Sequence, residues 1–563
     1  MTNTKIIECV PNFSEGRDRS IIDAISRSVS AVAGVSLLDV DPGADTNRTV
    51  YTFVGEPGAV AEAAFQAAKT AFALIDMTKH SGAHPRMGAL DVCPFVPVSG
   101  ATMEDCVAVS KAFGKRLATE LGVPVYLYEK AASSPQRVSL ADIRSGEYEG
   151  LAAKLRDPEW KPDFGPATFV PRWGATVTGA REFLVAYNVN LNTRDKKLAN
   201  EVALTIREGG RAAKDAKGNT LKDAQGNTVK VPGLLKDVRA IGWYIEAYGC
   251  AQISINLVNY HTTPLHVVFE TAKAEAEKLG LLVTGSEVVG LLPLEPLVQA
   301  GRYFLRKQGK SEGACEKELV EIAKISMGLD SVAPFEAEKK VVEYAAARAG
   351  GQKDVLASMT VKAFVDEVAS ESPAPGGGSV AALAGSLGAA LAAMVGNLTV
   401  GKKGYEASWS ELSDLAVKAQ GIKARLIRAI DADTAAFAAI MEANKLPKAT
   451  PEEKAAREAA VQASYRNASL VPLETAETCL EAIALALVAA EKGNANSVSD
   501  AGVGALMARA GVEGAALNVL INIGSVADAA FAADLKARAE KLIAEARSQA
   551  DAVLAKVRQV MSA

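Results

Sequence analysis

Two of the four histidines in this chain fall inside residues 80–97, HSGAHPRMGALDVCPFVP, beside an arginine, an aspartate, a cysteine and three prolines. An imidazole takes up and returns a proton near neutrality, so this stretch could carry general acid–base catalysis. His84 precedes Pro85, which biases it toward an extended backbone and a loop position. Arg86 could hold a carboxylate through its planar fork. Ordinary loop polarity competes as an explanation of a lone His-Pro-Arg. His80 reads as structural, while His261 and His266, in YHTTPLH, have no local argument in their favour.

A second candidate lies in RLIRAIDADTAAFAAIM, residues 425–441, which holds Asp431 and Asp433. Two positions apart on a helix, these carboxylates point to different sides and cannot share one pocket. Leu426, Ile430, Phe437 and Ile440 form an apolar stripe at helical spacing. Asp433 falls within it, and Asp431 falls nearer the face of Arg428. A carboxylate on a core-facing stripe loses hydration, which raises its pKa toward a range useful for proton transfer. A buried aspartate with a structural partner is the competing reading.

Weaker signals surround these two. Asp41 closes LLDVDPG, where it could orient an imidazole or cap a turn. The segment Gly165, Pro166, Ala167, Thr168, Phe169, Val170, Pro171, Arg172, Trp173 and Gly174 offers backbone donors and two flat rings. GNANSVSDAG, residues 493–502, supplies Asn494, Asn496, Ser497 and Asp500 at a turn and helix start. Asn518 and Asn522 share a helical face. The triple glycine at 376–378 lacks the preceding strand of a dinucleotide fingerprint, although a helix N-terminus there could take an anion. The cysteines and histidines form no metal-binding cluster.

Several of these stretches carry a resemblance. GAHPRMGALDVCPFVP, ECVPNFSEGR (8–17), LLDVDPGADTNRTVYTFVG (37–55) and FGPATFVPRWGATVTGAREF (164–183) are similar, in that order, to glutamate formimidoyltransferases. PAPGGGSVAA (373–382), Asp433, GNANSVSDAG and NVLIN (518–522) resemble the cyclodeaminase pattern. Together they resemble the formimidoyltransferase-cyclodeaminase family of bifunctional folate enzymes in histidine degradation.

The resemblance implies formimidoyl transfer from N-formimidoyl-L-glutamate to N5 of tetrahydrofolate, with His84 as acid–base and Asp41 in support. It makes residues 165–174 the folate contact. It implies cyclisation to 5,10-methenyl-tetrahydrofolate with loss of ammonia at Asp433, and Asn494, Asn496, Asp500 and Asn518 in that pocket. Polyglutamylated tetrahydrofolate is then a co-substrate, with no prosthetic group and no metal. A homo-oligomer, an octamer among the options, is also implied. The rivals are an active transferase with a degraded cyclodeaminase and a non-catalytic folate-binding scaffold.

These groups need scaffolds to hold them. At 563 residues the chain is too long for one core, and 49% hydrophobic with 23% charged residues is a globular composition. A net charge of −4 gives no basic face for nucleic acid. Six scattered cysteines with no CxxC pair suit the reducing cytoplasm, and the N-terminal residues lack a signal-peptide run. The uncharged window 376–401 is long enough to cross a bilayer, but its alanine, glycine and serine suit a tightly packed bundle helix better, so no membrane is expected.

From 5 to 180 the spacing predicts strands at 5–10, 35–39, 49–54, 90–96 and 123–128, with helices at 20–32, 58–75 and 103–121. From 181 to 334 it predicts strands at 183–191, 240–245, 251–257 and 281–283, and helices at 196–208 and 265–278. The resemblance makes each half a ferredoxin-like α/β subdomain with the folate site between them. A duplication, DAKGNTLK then DAQGNTVK (215–230), reads as a surface hairpin insertion. Residues 335–355 read as a linker, and 356–563 as an all-helical bundle with segments at 361–370, 379–399, 405–444, 451–491, 497–510 and 512–561.

Overall fold

The computed structural model describes residues 5–562 apart from 45, 83, 216, 224 and 350–355. The chain forms two compact units, one of Thr2–Leu297 with Lys324–Gln352 and one of Val298–Ala323 with Lys353–Ala563.

The sheet-bearing unit opens with β1 (Ile6–Cys9), β2 (Asn12–Phe13), α1 (Arg19–Ser30), β3 (Val35–Gly43), β4 (Arg48–Gly55), α2 (Pro57–Leu74) and β5 (Leu90–Ser99). There follow α3 (Met103–Leu121), β6 (Val125–Glu129), α4 (Leu140–Arg144), α5 (Glu147–Lys154) and β7 (Thr176–Ala180). Local chemistry sets the helix ends. Asp18 caps α1, Pro57 opens α2, and Thr102 with Asp105 forms a reciprocal capping box on α3. The strands lie in the order β3-β4-β1-β5 with antiparallel pairing, and β7 and then β6 extend the sheet in parallel from β5.

Pairing register assigns the two faces. Tyr51 and Phe53 of β4 enter the core under α1 and α2. Side chains alternate along a strand, so Arg48, Val50 and Thr52 point to the other face. Asp41 pairs with Val50, Asp39 with Thr52 and Glu8 with Val54, which puts these carboxylates on that same face.

The second half carries β8 (Val185–Leu191), α6 (Lys196–Ile206), β9 (Arg211–Ala212), β10 (Lys230–Val231), β11 (Val238–Ile245), β12 (Cys250–Leu257), α7 (Leu265–Lys278) and β13 (Val283–Val289). Its main sheet is antiparallel, in the order β11-β12-β8-β13. The expected strand at 281–283 is displaced, since Val283 starts β13 and does not end it.

The duplicated insertion between β9 and β10 turns twice on aspartate. Asp215 Oδ1 accepts the amides of Lys217 and Asn219, and Asp223 Oδ1 those of Gln225 and Asn227. Ala213 N–H donates to Val229 O (2.8 Å), Leu221 N–H to Ala213 O (2.8 Å) and Val229 N–H to Leu221 O (3.0 Å).

The chain continues through α8 (Leu294–Lys307), α9 (Glu316–Met327), α10 (Ala337–Lys340) and α11 (Val342–Ala349). Residues 335–355, expected as a linker, therefore carry two helices in their first part, and 350–355 lie outside the described residues. The expected boundary at 334 is also crossed. Residues 298–323 belong with the helical unit because Ser311 Oγ bonds Asn397 Oδ1 (2.6 Å) and the Gly313 carbonyl accepts from Asn397 (3.0 Å) and Gln420 (2.9 Å).

The helical unit adds α12 (Val361–Val368), α13 (Gly377–Thr399), α14 (Trp409–Lys445), α15 (Pro451–Lys492), α16 (Val498–Ile523) and α17 (Ala529–Ser562). The helix break expected at 511 lies instead between Ile523 and Ala529. Gly511 is a crossing point: a Cβ there would fall 2.7 Å from Cys479 Sγ, and one on Gly385 would fall 2.2 Å from the same sulfur. By length and composition α13 could cross a bilayer, and residues 495–523 pass the same test. On α13 the small residues Gly378, Ala382, Gly385, Ala389 and Ala392 are buried inside the bundle.

Candidate active sites

In the sheet-bearing unit, a short turn at Met77–Lys79 delivers the loop that precedes β5. Asn47, held at φ 48°, anchors this loop: its amide donates to Ser81 O (3.0 Å), and its Oδ1 accepts Gly16 N–H (3.0 Å). His80 is fully engaged. Its Nδ1 accepts from Arg86 Nε (3.3 Å), so Nε2 carries the proton given to Asn47 O (2.8 Å). The structural assignment of His80 agrees with these bonds. Arg86 does hold a carboxylate, but one from its own chain: it grips Glu149 through two bonds (2.9 and 2.7 Å) and reaches Glu147 at 3.3 Å. An open cavity of about 490 Å³ lies among His80, Ser81, Gly82, Arg86, Gly146, Glu147 and Glu149.

His84 is half-buried on this loop. Its Nδ1 is 2.7 Å from the carbonyl of Pro85, so Nδ1 donates and Nε2 keeps a free lone pair. Burial, then the neighbouring Arg48, hold this imidazole below its ordinary pKa, with Arg144 adding to the effect. Behind them sits Asp91, fully buried, which accepts from Arg48, from Arg144 (2.7 Å) and from Met87 N–H (2.8 Å). Asp41 shares the sheet face of Arg48 but is exposed, and among the described residues no hydrogen bond or ion pair joins it to His84.

The 165–174 segment is fastened to the same loop. Ala89 N–H donates to Trp173 O (2.8 Å) and Ala175 N–H to Met87 O (3.1 Å). Gly174, at φ 81°, lies where a Cβ would fall 2.0 Å from Met87 O, so only glycine permits this approach. Trp173 departs from expectation. It is 1% exposed, packs on Phe72 and donates its indole N–H to Thr176 Oγ1 (3.0 Å), which makes it a core residue and no flat platform. Phe169 remains available, half-buried and 5.3 Å from the Tyr148 ring, whose hydroxyl donates to Pro171 O (2.6 Å). Ala167, Thr168, Pro171 and Arg172 are exposed around it. His261 is exposed in the other half of the unit, its ring 4.1 Å from Tyr260, and His266 lies in the first turn of α7.

Sequence reasoning missed Asn47, Arg48, Asp91, Arg144 and Glu149 as parts of this site. The first three stand inside the quoted motifs DTNRTV and ALDVCP, but only the fold shows that they converge.

In the helical unit, Asp433 projects from α14 against the first turn of α13. Its Oδ2 lies 3.3 Å from Ser379 Oγ. A Cβ on Gly378 would fall 2.0 Å from Oδ1, and one on Gly377 would fall 3.3 Å from Asn518 Nδ2. The carboxyl therefore occupies the place that the missing glycine side chain leaves, at the helix start earlier considered for an exogenous anion. Burial raises its pKa, while bonds from Ser379 pull the other way. Asp431 is turned elsewhere and accepts the amides of Leu356 (2.9 Å) and Ala357 (3.2 Å).

Of the asparagines, Asn518 alone is placed beside this group. Asn522 donates to Ala468 O (2.7 Å). Asn494 receives Lys402 Nζ (2.8 Å) and donates its own N–H to Thr399 Oγ1 (2.9 Å), at the opposite end of α13. Gly377–Thr399 is 23 residues, so at a rise of about 1.5 Å per step between its first and last residues that end is about 33 Å away. Asn496 and Asp500, which flank Asn494, therefore do not share a pocket with Asp433 of the same chain.

Three family models match the chain: the formiminotransferase domain, N-terminal subdomain, over residues 6–181; the formiminotransferase domain over 186–347; and formiminotransferase-cyclodeaminase over 360–541. The formimidoyltransferase-cyclodeaminase of Mus musculus is 48% identical over 551 residues, 98% of each chain. A glutamate formimidoyltransferase of Streptococcus pyogenes serotype M1 is 43% identical over 302 residues, 54% of this chain and 94% of that one. A methenyltetrahydrofolate cyclohydrolase of Methylorubrum extorquens is 47% identical over 187 residues, 33% of this chain and 90% of that one.

Proposed function

The chain belongs to the formimidoyltransferase-cyclodeaminase family, and from that premise we propose that its two units each hold one proton-carrying side chain for successive steps on one folate. It is a bifunctional enzyme. It transfers the formimidoyl group of N-formimidoyl-L-glutamate to N5 of tetrahydrofolate, then closes the product to 5,10-methenyl-tetrahydrofolate with loss of ammonia.

For the transfer, Nε2 of His84 removes the N5 proton as N5 attacks the amidine carbon. The resulting imidazolium returns that proton to the glutamate nitrogen as its bond to carbon breaks. A depressed pKa keeps the imidazole neutral and ready at the start of the cycle. Residues 165–174 support the folate through Phe169 and exposed backbone, and Asp41 assists from the open sheet face. For ring closure, N10 attacks the formimidoyl carbon. Asp433 carries the N10 proton to the NH2 of the protonated formimidoyl (amidinium) group, whose bond to carbon breaks to release ammonia and leave the methenyl cation, and Asn518 bonds the substrate beside it. What supports this reading above all is that each unit places one titratable group, shifted toward neutrality, at a family motif.

The same reading extends to organisation. The antiparallel orders β3-β4-β1-β5 and β11-β12-β8-β13 support two ferredoxin-like subdomains. Val380, Leu387 and Leu398 on α13 and Val503, Leu506, Leu517 (64% exposed) and Ile521 (75% exposed) on α16 support a homo-oligomer that covers this apolar surface. Free thiols at Cys9 and Cys93, 3.5 Å apart, support a reducing cytoplasm. The protein is incubated with formimidoylglutamate and tetrahydrofolate, and absorbance of the methenyl product is followed. Its appearance with stoichiometric ammonia is expected. Transfer that stops before ring closure would refute the helical half of the proposal.

A further inference from the structure

Ser379 is completely buried in the first turn of α13, yet its hydroxyl has more neighbours than it has protons to give. Ser379 Oγ lies 2.8 Å from the carbonyl of Ile430, 3.3 Å from Asp433 Oδ2 and 3.3 Å from Thr434 Oγ1. A hydroxyl donates once and accepts up to twice. It can serve Ile430 or Asp433 as a donor, not both together, while Thr434 can donate to it in either case. A structural serine at a helix start needs only one of these partners.

We propose that Ser379 is the positioning residue of Asp433: it donates to the carboxylate when Asp433 is ionised and accepts from the carboxyl when Asp433 is protonated, sending its own proton to Ile430 O. The rotation costs no heavy-atom movement, so the carboxyl is held in one place through both halves of the proton transfer. Gly378 completes the device by leaving the volume that Oδ1 fills. The inference rests on the reading of Asp433 as the proton carrier for ring closure.

The Ser379 backbone N–H also bonds the carboxylate, but an amide can only donate, which leaves the switch between donor and acceptor to the hydroxyl. Among the described residues no charged partner acts on Asp433. Residues 377–399 of α13 contain no charged side chain. Asp431 of α14 is spent on the amides of Leu356 and Ala357. α12 turns Phe364 inward, and α16 presents Asn518.

The test is ring closure of supplied 5-formimidoyl-tetrahydrofolate by the full chain, with kcat and KM taken across pH. Ser379→Ala is expected to lower kcat about 10- to 100-fold, within the range of a general acid–base contribution, and to leave KM within about twofold. It should also move the Asp433 limb of the profile to higher pH, because the donor it removes favours the ionised form. Ser379→Cys, with a weak S–H donor, should fall between the two. Transfer activity and thermal melting of the same preparations report folding. A limb that does not move, or a kcat loss equal at every pH, overturns the proposal while leaving Asp433 in its role. Retention of ring closure by Asp433→Asn would instead sink the assignment of Asp433 itself.

Discussion

His84 stands on a loop within the field of two arginines, with the buried Asp91 tying both guanidiniums down. Asp433 stands on a helix with no charged partner among the described residues, and its environment is low polarity plus one hydroxyl and one amide. Both groups are shifted toward their neutral forms by lost hydration, the imidazole downward and the carboxyl upward, but only the imidazole has neighbouring charge adding to that shift. A site built on charge can be retuned by salt or by a distant arginine. One without a charged partner answers to packing and to the hydrogen bonds from Ser379.

The largest effects should come from exchanging the two carriers. His84→Ala is expected to cut transfer by about a thousandfold, inside the range for a lost acid–base group, while ring closure of supplied intermediate continues. Asp433→Ala should give the mirror result. A folded variant that lost both activities would break the comparison outright.

Next in size is the support around the His84 loop. Asp91→Ala leaves two partly buried guanidiniums without their partner and should cost about 3–5 kcal/mol in denaturant melts of the sheet-bearing unit. Glu149→Gln removes the other side of the Arg86 fork, but that carboxylate is 65% exposed. A loss below about 1 kcal/mol is expected there.

A pH titration then sharpens the contrast. Positive charge beside an imidazole disfavours its protonated form, so Arg144→Gln should raise the His84 pKa and move the acid limb of transfer to higher pH. Added salt screens exposed charge and should push that limb the same way by a smaller amount. The Asp433 limb of ring closure should stay still in the same salt series. The smallest expected effect is from deleting one copy of the duplicated octapeptide, which should change neither rate by more than about twofold, since surface changes remote from a site are near neutral.

Much of the scaffold could be read in advance where a helix had clean ends. The expected spans 103–121 and 265–278 are the observed α3 and α7, because Thr102 and Gly122 bracket the first and Pro264 opens the second. The short α4 and α5 and the strand β7 were not anticipated, since five to eight residues after a proline-rich loop carry too little periodicity to read. Asp433 is instructive in another way. The apolar stripe invoked for its burial includes Phe437, which is 37% exposed. Leu426, Ile430 and Ile440 of that stripe are buried, but the room for the carboxyl is left by Gly378 on a different helix, which no periodicity within α14 could reveal. Trp173 failed for the opposite reason: an aromatic beside glycines looks like a ligand platform until tertiary packing claims it.

The hydrogen bonds among Ala213, Leu221 and Val229 bear on how an insertion of this kind can grow. Each of the three chain segments gives one amide proton to the next and takes one from the last, so the circuit has no loose end. Two octapeptides plus the segment that follows β9 are the number that completes it. A single octapeptide would leave an amide and a carbonyl facing water, and a third would have to pry the triangle apart. Three segments thus satisfy one another's amides in full, as three legs steady a stool.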